Sequence, residues 1–431
     1  MNILSTHLFL LPALGLIFTS CGQNAAEKPI PPKKPLLTRG STPANLSLKA
    51  ACALAVTHHP SLTTYSMDRR AADARILHAS RIPNPVLNMD DEDFFGTGDL
   101  AGLSASVLNS LITQVIERGG KRQARTEAAR RAGEVMDAEY AIRRRDVITQ
   151  TGQLYFQAVA ARENVLFHEA ALARSEETAR LVISLLEAGR VTIGSAQQAR
   201  LEVQKSKLAL NLAHKASEQA SQALSAQWGD FRTTAVNDLR LASPPANLPS
   251  RQVQESGLAR HPNLMLALAR VSESEALVAL AKANKLNNIT LGGGVRHASA
   301  SDELSGLVSF SIPIPVFNKQ EDAIKEMTAL AEKTQTEMAA TERALSNQFT
   351  QAWTGLESAH RNARLIQTDL LPSALELFES AEESFRAGKI TALEYLAAQQ
   401  QYQNIRNQWL EARRDYHLQA VQVQALTHQT L

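Results

Sequence analysis

Between Leu304 and Ile314 apolar and small polar residues alternate, with Val308, Phe310, Ile312 and Ile314 apolar and Ser309 and Ser311 set between them. A period of two residues predicts a strand with one face suited to lipid and the other to water. Its predicted partner runs from Asn288 to Arg296 and carries Gly292-Gly293-Gly294 at its middle. Two more such segments, Pro85 to Phe95 and Leu103 to Ile116, are joined by the turn-forming run Gly96-Thr97-Gly98-Asp99. Each is about ten residues or a little longer, the length at which a tilted strand crosses a bilayer.

Elsewhere the period is helical. Ala158, Val165, Leu172, Ala179 and Leu186 recur at heptad spacing inside a stretch from Gly119 to Ala188 that contains no proline. Phe349, Leu356, Ala363 and Leu370 form a second track, and Leu345, Ala352, Ala359 and Ile366 a third. Heptad tracks predict long helices packed in coiled-coil fashion, and a helix of roughly 70 residues reaches about 100 Å. Pro372 interrupts the second long helix and predicts a kink, because proline removes one hydrogen bond and crowds the preceding turn.

These segments occur twice, at an offset of about 200 residues. Ala55-Val56-Thr57-His58-His59-Pro60-Ser61-Leu62 matches Gly257-Leu258-Ala259-Arg260-His261-Pro262-Asn263-Leu264, and each run precedes a helical stretch. The repeated His-Pro reads as a chain break before a proline-started helix; a metal-ligand reading lacks a second ligand at i, i+4. Glu187-Ala188-Gly189-Arg190-Val191-Thr192-Ile193 likewise matches Arg386-Ala387-Gly388-Lys389-Ile390-Thr391-Ala392. Ala188, Gly189, Arg190 and Thr192, and in the second half Ala387, Gly388, Lys389 and Thr391, are therefore the predicted turns of two helical hairpins, with glycine supplying the left-handed residue. The predicted organisation is a first repeat over 46–245 (strands about 85–95 and 103–116, hairpin about 119–228) and a second over 246–431 (strands about 288–296 and 304–314, hairpin about 320–428).

Composition narrows the class. Apolar residues make up 44% and aromatics only 5%, which suits long packed helices better than a compact enzyme. With 45 basic and 43 acidic residues spread along the chain the net charge is +2, so no footprint for nucleic acid is present. There is no Gly-rich phosphate loop, nucleophile elbow or paired His and carboxylate cluster, so neither an enzyme nor a cofactor or metal site is expected. No apolar run after residue 21 is long enough for a transmembrane helix, and membrane entry would be through strands.

The two cysteines, Cys21 and Cys52, suggest neither a disulfide framework nor a zinc site. Leu8 to Phe18 has the length of a secretory h-region and is followed by Thr19, Ser20 and Cys21. This resembles a bacterial lipoprotein signal, which implies a signal peptide over 1–20, a lipid on Cys21 and, with Gly22 rather than Asp next, sorting to the outer membrane. The other reading is an ordinary signal peptide cleaved elsewhere. Residues 21–45, with Pro29, Pro31, Pro32, Pro35 and Pro43, read as an extended tether.

Four strands cannot close a membrane barrel, and open edges in lipid leave backbone groups unpaired at several kcal/mol each. Closure needs two or three chains; eight strands leave an interior filled by side chains, whereas twelve begin to leave a passage.

The runs Ser47-Leu48 through Asn84-Pro85, Ile116-Glu117-Arg118-Gly119-Gly120-Lys121-Arg122 through Arg125, Ile312-Pro313-Ile314-Pro315-Val316-Phe317, and Leu371-Pro372 through Ala387-Gly388 resemble those of the TolC-type outer-membrane efflux proteins, nearest the CzcC and CusC heavy-metal branch. The resemblance covers essentially everything after residue 45. It implies a mainly α chain with a membrane β-barrel portion, a homotrimer with a twelve-stranded barrel continued by a twelve-helix periplasmic tunnel, and contact with outer-membrane lipid. It also implies a periplasmic adaptor (membrane fusion) protein and an inner-membrane RND-type pump as partners, with this chain a passive exit duct. In that family acidic residues shortly after the tip glycine line the constriction. Glu394 matches one in the second half and Ser195 stands at the equivalent place in the first. Glu394 reads equally as a surface residue stabilised at a helix N-terminus. A periplasmic adaptor or coiled-coil scaffold lipoprotein would show one hairpin flanked by compact all-β segments, whereas two hairpins stand here in tandem.

Overall fold

The computed structural model describes residues 46–230, Val236 and 240–427, so Cys21 and the tether lie outside the described residues. The first half runs α1 (Leu48–His58), α2 (Pro60–Thr63), α3 (Tyr65–Ser80), β1 (Val86–Glu92), β2 (Val107–Ile116), α4 (Lys121–Glu187) and α5 (Ile193–Ser225). The second runs α6 (Arg251–Glu255), α7 (Pro262–Asn284), β3 (Ile289–Ala298), β4 (Glu303–Ser311), α8 (Glu321–Leu365), a π turn over Ile366–Leu370, α9 (Leu371–Arg386) and α10 (Ala392–Thr427). Among the described residues no helix is long and apolar enough to cross a membrane.

The His-Pro pairs are helix starts. His59 and His261 cap α2 and α7 and the following proline occupies the first turn. The Nδ1 of His59 accepts from the Ser61 N–H at 3.2 Å, and that of His261 from the Asn263 N–H at 3.1 Å. Each ring thus takes up one of the N–H groups that a helix start leaves without an intrahelical acceptor, and proline stands where its own missing N–H costs nothing.

The four strands form one antiparallel sheet in the order β1-β2-β3-β4, so the halves meet at the β2–β3 pair. Because side chains alternate along each strand, the pairing register sorts them. One face carries Leu87 and Met89, Leu108 and Ile112, Leu291 and Val295, then Leu304, Val308 and Phe310, with Asp91, Gln114 and His297 among them. The other carries Asn88, Asp90 and Glu92, Asn109 and Thr113, Thr290 and Arg296, then Ser305 and Ser309, with Val86, Leu111, Val115 and Leu307 between them. Two cross-strand bonds knit this polar face, Asn88 to Thr113 at 3.2 Å and Asn109 to Glu92 at 3.3 Å. Gly292 and Gly294 lie on it too, where a Cβ at Gly294 would stand 2.0 Å from the Ser110 carbonyl oxygen. Glycine there lets neighbouring strands approach closely on that side.

Three strands begin or end inside the bounds that alternation predicts, whereas β3, expected over about 288–296, runs on to Ala298. β1 ends at Glu92 because Asp93 and Phe95 adopt positive φ and turn the chain into a loop. Residues 103–106 belong to that loop, and β2 begins at Val107. β4 ends at Ser311, since Pro313 and Pro315 have no N–H for a ladder.

Below the sheet the same lateral order repeats. α3 packs on α4, α4 on α7 and α7 on α8; further along, α5 packs on α4, α4 on α10 and α10 on α9. β1, α3 and α5 thus form one flank and β4, α8 and α9 the other. Exposed apolar side chains lie along both, Leu77, Leu201, Leu208 and Leu212 on the first and Leu330, Leu365 and Leu375 on the second.

Midway, Tyr155, Ala158 and Val159 of α4 pack with Leu46, Leu224, Val236 and Leu241 into a buried cluster. Arg413 of α10 ties the halves there. Its guanidinium donates to Glu163 of α4 at 2.6 Å and to the Leu241 carbonyl at 2.8 Å, while the Leu241 N–H donates to Glu163 at 3.0 Å.

Pro372 is accommodated by the π turn just before it. The wider turn relieves the crowding that a proline ring imposes on the carbonyl four residues back. It also adds one residue to the helix, and both heptad tracks move by one. Phe349, Leu356 and Ala363 are buried, Leu370 is exposed, and the buried positions resume at Ala374, Phe378 and Phe385. The track expected to run through Leu370 is corrected accordingly: it passes through Leu371, Phe378 and Phe385.

Candidate functional site at the hairpin tips

Both hairpins turn with the same backbone. α4 is capped by Ala188, Gly189 follows at φ 71°, the Arg190 N–H donates to the Leu185 carbonyl at 2.8 Å and the Gly189 N–H to Leu186 at 2.9 Å. α9 is capped by Ala387, Gly388 follows at φ 70°, and the Lys389 and Gly388 N–H groups reach Ser384 and Phe385 at 2.8 and 3.0 Å. This paired bonding satisfies carbonyls that a helix end leaves open, and it needs a left-handed residue at the glycine. The two tips adjoin: a Cβ on Gly388 would lie 3.2 Å from Nη2 of Arg190.

The next helices start differently. Thr192 caps α5, its Oγ1 accepting from the Ser195 N–H at 3.3 Å, and the Ser195 hydroxyl lies 3.2 Å from it. Thr391 takes the same place before α10, but the bonding is reciprocal. The Glu394 N–H donates to Thr391 Oγ1 at 3.3 Å, while Glu394 Oε2 accepts from the Thr391 N–H at 2.7 Å and from its hydroxyl at 2.9 Å. Thr391 and Glu394 form a capping box, in which a carboxylate satisfies the N–H that would otherwise be orphaned. Those bonds hold the Glu394 carboxyl below its ordinary value, the backbone N–H contributing most.

Alternation and tip motifs left unseen what binds the two hairpins together. Phe378 and Phe385 of α9 stack against Tyr402 and Tyr395 of α10, with ring centroids 5.5 and 5.0 Å apart and near-parallel planes. Arg174 of α4 lies 5.8 Å from the Phe378 ring centre and 5.9 Å from that of Tyr402. Val182, Ala196 and Ala199 of the first hairpin close the cluster from the other side. Burial pushes the Tyr395 hydroxyl above its ordinary pKa. The signal was present: Phe378 and Phe385, and Tyr395 and Tyr402, are each one heptad apart. Beside the stack a 580 Å³ cleft opens between α4 and α9, edged by Glu177, Glu379, Glu382 and Arg386.

Ser195 and Glu394 therefore sit at matching positions of adjoining tips, and Pro372 lies one helix above them. Comparison with known proteins gives this architecture a context. The family model described as outer membrane efflux protein matches residues 53–230 and 254–428. The cobalt-zinc-cadmium resistance protein CzcC of Cupriavidus metallidurans is 26% identical, over 82% of this chain and 83% of its own length. The pyoverdine export outer membrane protein OpmQ of Pseudomonas putida is 28% identical over 73% of this chain and 67% of its own. Among solved structures, CusC superposes with a TM-score of 0.72 at 17% identity, covering 89% of this chain and 92% of that one.

Proposed function

The chain belongs to the outer membrane efflux protein family, and from that premise we propose that three copies close into one duct that carries cargo out through the outer membrane. The observation that carries the reading is the recurrence of one lateral order at three levels, with β1, α3 and α5 on one flank and β4, α8 and α9 on the other. Joining unlike flanks is a heterologous contact, which closes into a ring when its rotation allows. Closure pairs β4 of one copy with β1 of the next and removes the open edges that lipid would not tolerate. Three copies give twelve strands, enough to leave a passage lined by the more polar face.

In this reading the tips point into the periplasm, toward an adaptor protein and, through it, an inner-membrane pump of the RND type. Each copy contributes one Glu394, so three capped carboxylates stand near the entrance and favour cations by electrostatic focusing. Divalent metal cations are the proposed cargo, supported by the cobalt-zinc-cadmium resistance protein among the relatives. Cys21 would carry the lipid that adds a second hold on the membrane.

The test is assembly and conductance together. Protein extracted from outer-membrane fractions should run as a heat-sensitive trimer and give discrete conductance in planar bilayers; a monomer without conductance sinks the duct. Glu394→Gln should reduce cation selectivity if the carboxylates line the entrance. An acyl mass on the Cys21 peptide, lost in Cys21→Ala while the barrel stays inserted, tests the anchor.

A further inference from the structure

On β4 the apolar face does not end with the strand. Leu304, Val308 and Phe310 project from it, and Ile312 and Ile314 continue the same alternation past Ser311, where the prolines have stopped the pairing. Val316 and Phe317 follow. These side chains are bare in the single chain: Val308 is 93% exposed, Ile314 80% and Phe317 100%.

Length decides what the extra residues are for. From Leu304 to Phe310 the strand advances about 20 Å, or about 15 Å across a membrane at a tilt of about 40°. A barrel's lipid-facing apolar band is about 25 Å tall. Extending the same face to Ile314 gives about 33 Å along the chain and about 25 Å across, so the band is complete only when the unpaired Ile-Pro-Ile-Pro segment is included.

Charge changes at that level. β2 and β3 bring Ile116 and Ile289 side by side at the end of their ladder, and Arg118 and Asn287 stand two residues beyond it. The Asn287 side chain donates to the Pro313 carbonyl at 2.6 Å, which holds the segment against the foot of the sheet. Arg118, two residues past β2, and Lys319, two residues past Phe317, are exposed, whereas Glu117 is held by Arg125 at 2.6 Å. Apolar side chains ending in an aromatic ring and a basic fringe match the acyl and headgroup layers of a membrane interface.

We propose that Ile312–Phe317 is a lipid-contacting belt at the periplasmic-side interface of the outer membrane, with Phe317 at headgroup depth and Arg118 and Lys319 facing anionic headgroups. The inference rests on the barrel reading above, and the experiment separates the two. Phe317→Trp and Val308→Trp, both at fully accessible positions, are reconstituted in vesicles containing anionic phospholipid whose acyl chains are brominated either near the headgroup or near the chain end. Emission of the unsubstituted protein is subtracted to remove Trp228, Trp353 and Trp409. The added emission of Val308→Trp should be lost mainly to chain-end bromines and that of Phe317→Trp mainly to headgroup-proximal ones. Quenching at Val308→Trp with none at Phe317→Trp overturns the belt: unquenched red emission leaves the segment in water, and unquenched blue emission places it under a neighbouring copy. No quenching at Val308→Trp overturns the barrel reading itself.

Discussion

The two long helical hairpins have one topology and two constructions. In the first, α4 runs 67 residues without interruption and its tip is capped by Thr192 with the neutral Ser195 beside it. In the second, a π turn splits α8 from α9, four aromatic rings stack between α9 and α10, and the cap is closed by a carboxylate. Duplication accounts for what they share. What differs lies below the midpoint of the chain's helices, and it gives the second hairpin a wide turn above a rigid aromatic block. π turns inside helices are often found at functional places, and here one joins a regular upper helix to the segment that reaches the tip.

Above that level the two hairpins share a common frame, and the ion pair of Arg413 and Glu163 is its centre. Both side chains are nearly buried, at 9% and 12% exposure, and both also bind the linker at Leu241. Arg413→Ala strands a buried carboxylate and should destabilise the fold by about 3–5 kcal/mol, read from thermal or denaturant unfolding in detergent. A loss below about 1 kcal/mol would mean the halves are held together elsewhere.

The π turn gives the next largest effect. Deleting Thr368 forces a regular helix through the position of Pro372 and should cost about 3 kcal/mol. Adding Pro372→Ala should recover most of it, since one residue fewer brings the upper heptad track back into step with Phe378 and Phe385. The double variant would make the second hairpin as continuous as the first. If it unfolds as readily as the deletion alone, the π turn answers to something other than the proline.

Smaller and equal effects are expected at Gly189 and Gly388, whose φ values are 71° and 70°. Alanine at either should cost about 1–2 kcal/mol for the left-handed conformation. The Arg190 guanidinium beside Gly388 is the flexible end of a side chain and can withdraw, so a much larger penalty at that tip would show that the two tips are locked together.

The same contrast explains what the sequence reveals and what it hides. Strand alternation, the His-Pro starts and the tip glycines are local patterns, each tied to one backbone requirement, and each is visible in a few residues. The π turn is not, because Leu370 and Leu371 are adjacent leucines and a heptad track reads equally well through either. Only burial separates them. Glu163 and Arg413 stand 250 residues apart at helix positions that look like ordinary charged surface, and no local period announces a buried pair. The end of β1 escapes alternation because non-glycine residues, Asp93 and Phe95, take positive φ, an uncommon choice that composition does not signal. At the tip the carboxylate of Glu394 is legible as an acid near a helix start, whereas its reciprocal bonding with Thr391 emerges only in the structure.

The finest difference between the hairpins is the cap, and pH separates them. Thr192→Ala and Thr391→Ala should each cost about 1 kcal/mol, the usual loss when a threonine cap is removed. Acid should act on the second tip alone. The folded Glu394 carboxyl titrates below its ordinary value because it accepts the Thr391 N–H and hydroxyl. Its contribution is therefore fully present above the ordinary carboxylate range and is lost as pH falls through the depressed folded value. Ser195 carries no charge, so the first tip has no counterpart to lose. Amide exchange at Thr391 and Thr192, corrected for the intrinsic pH dependence of exchange, should show the second tip loosening in acid while the first stays constant. Glu394→Gln keeps an acceptor for the Thr391 N–H but cannot titrate, so it should abolish the acid response and leave a tip indifferent to pH. Equal loosening of both tips in the unsubstituted protein would put the acid effect elsewhere, and the two caps would then differ in chemistry without differing in behaviour.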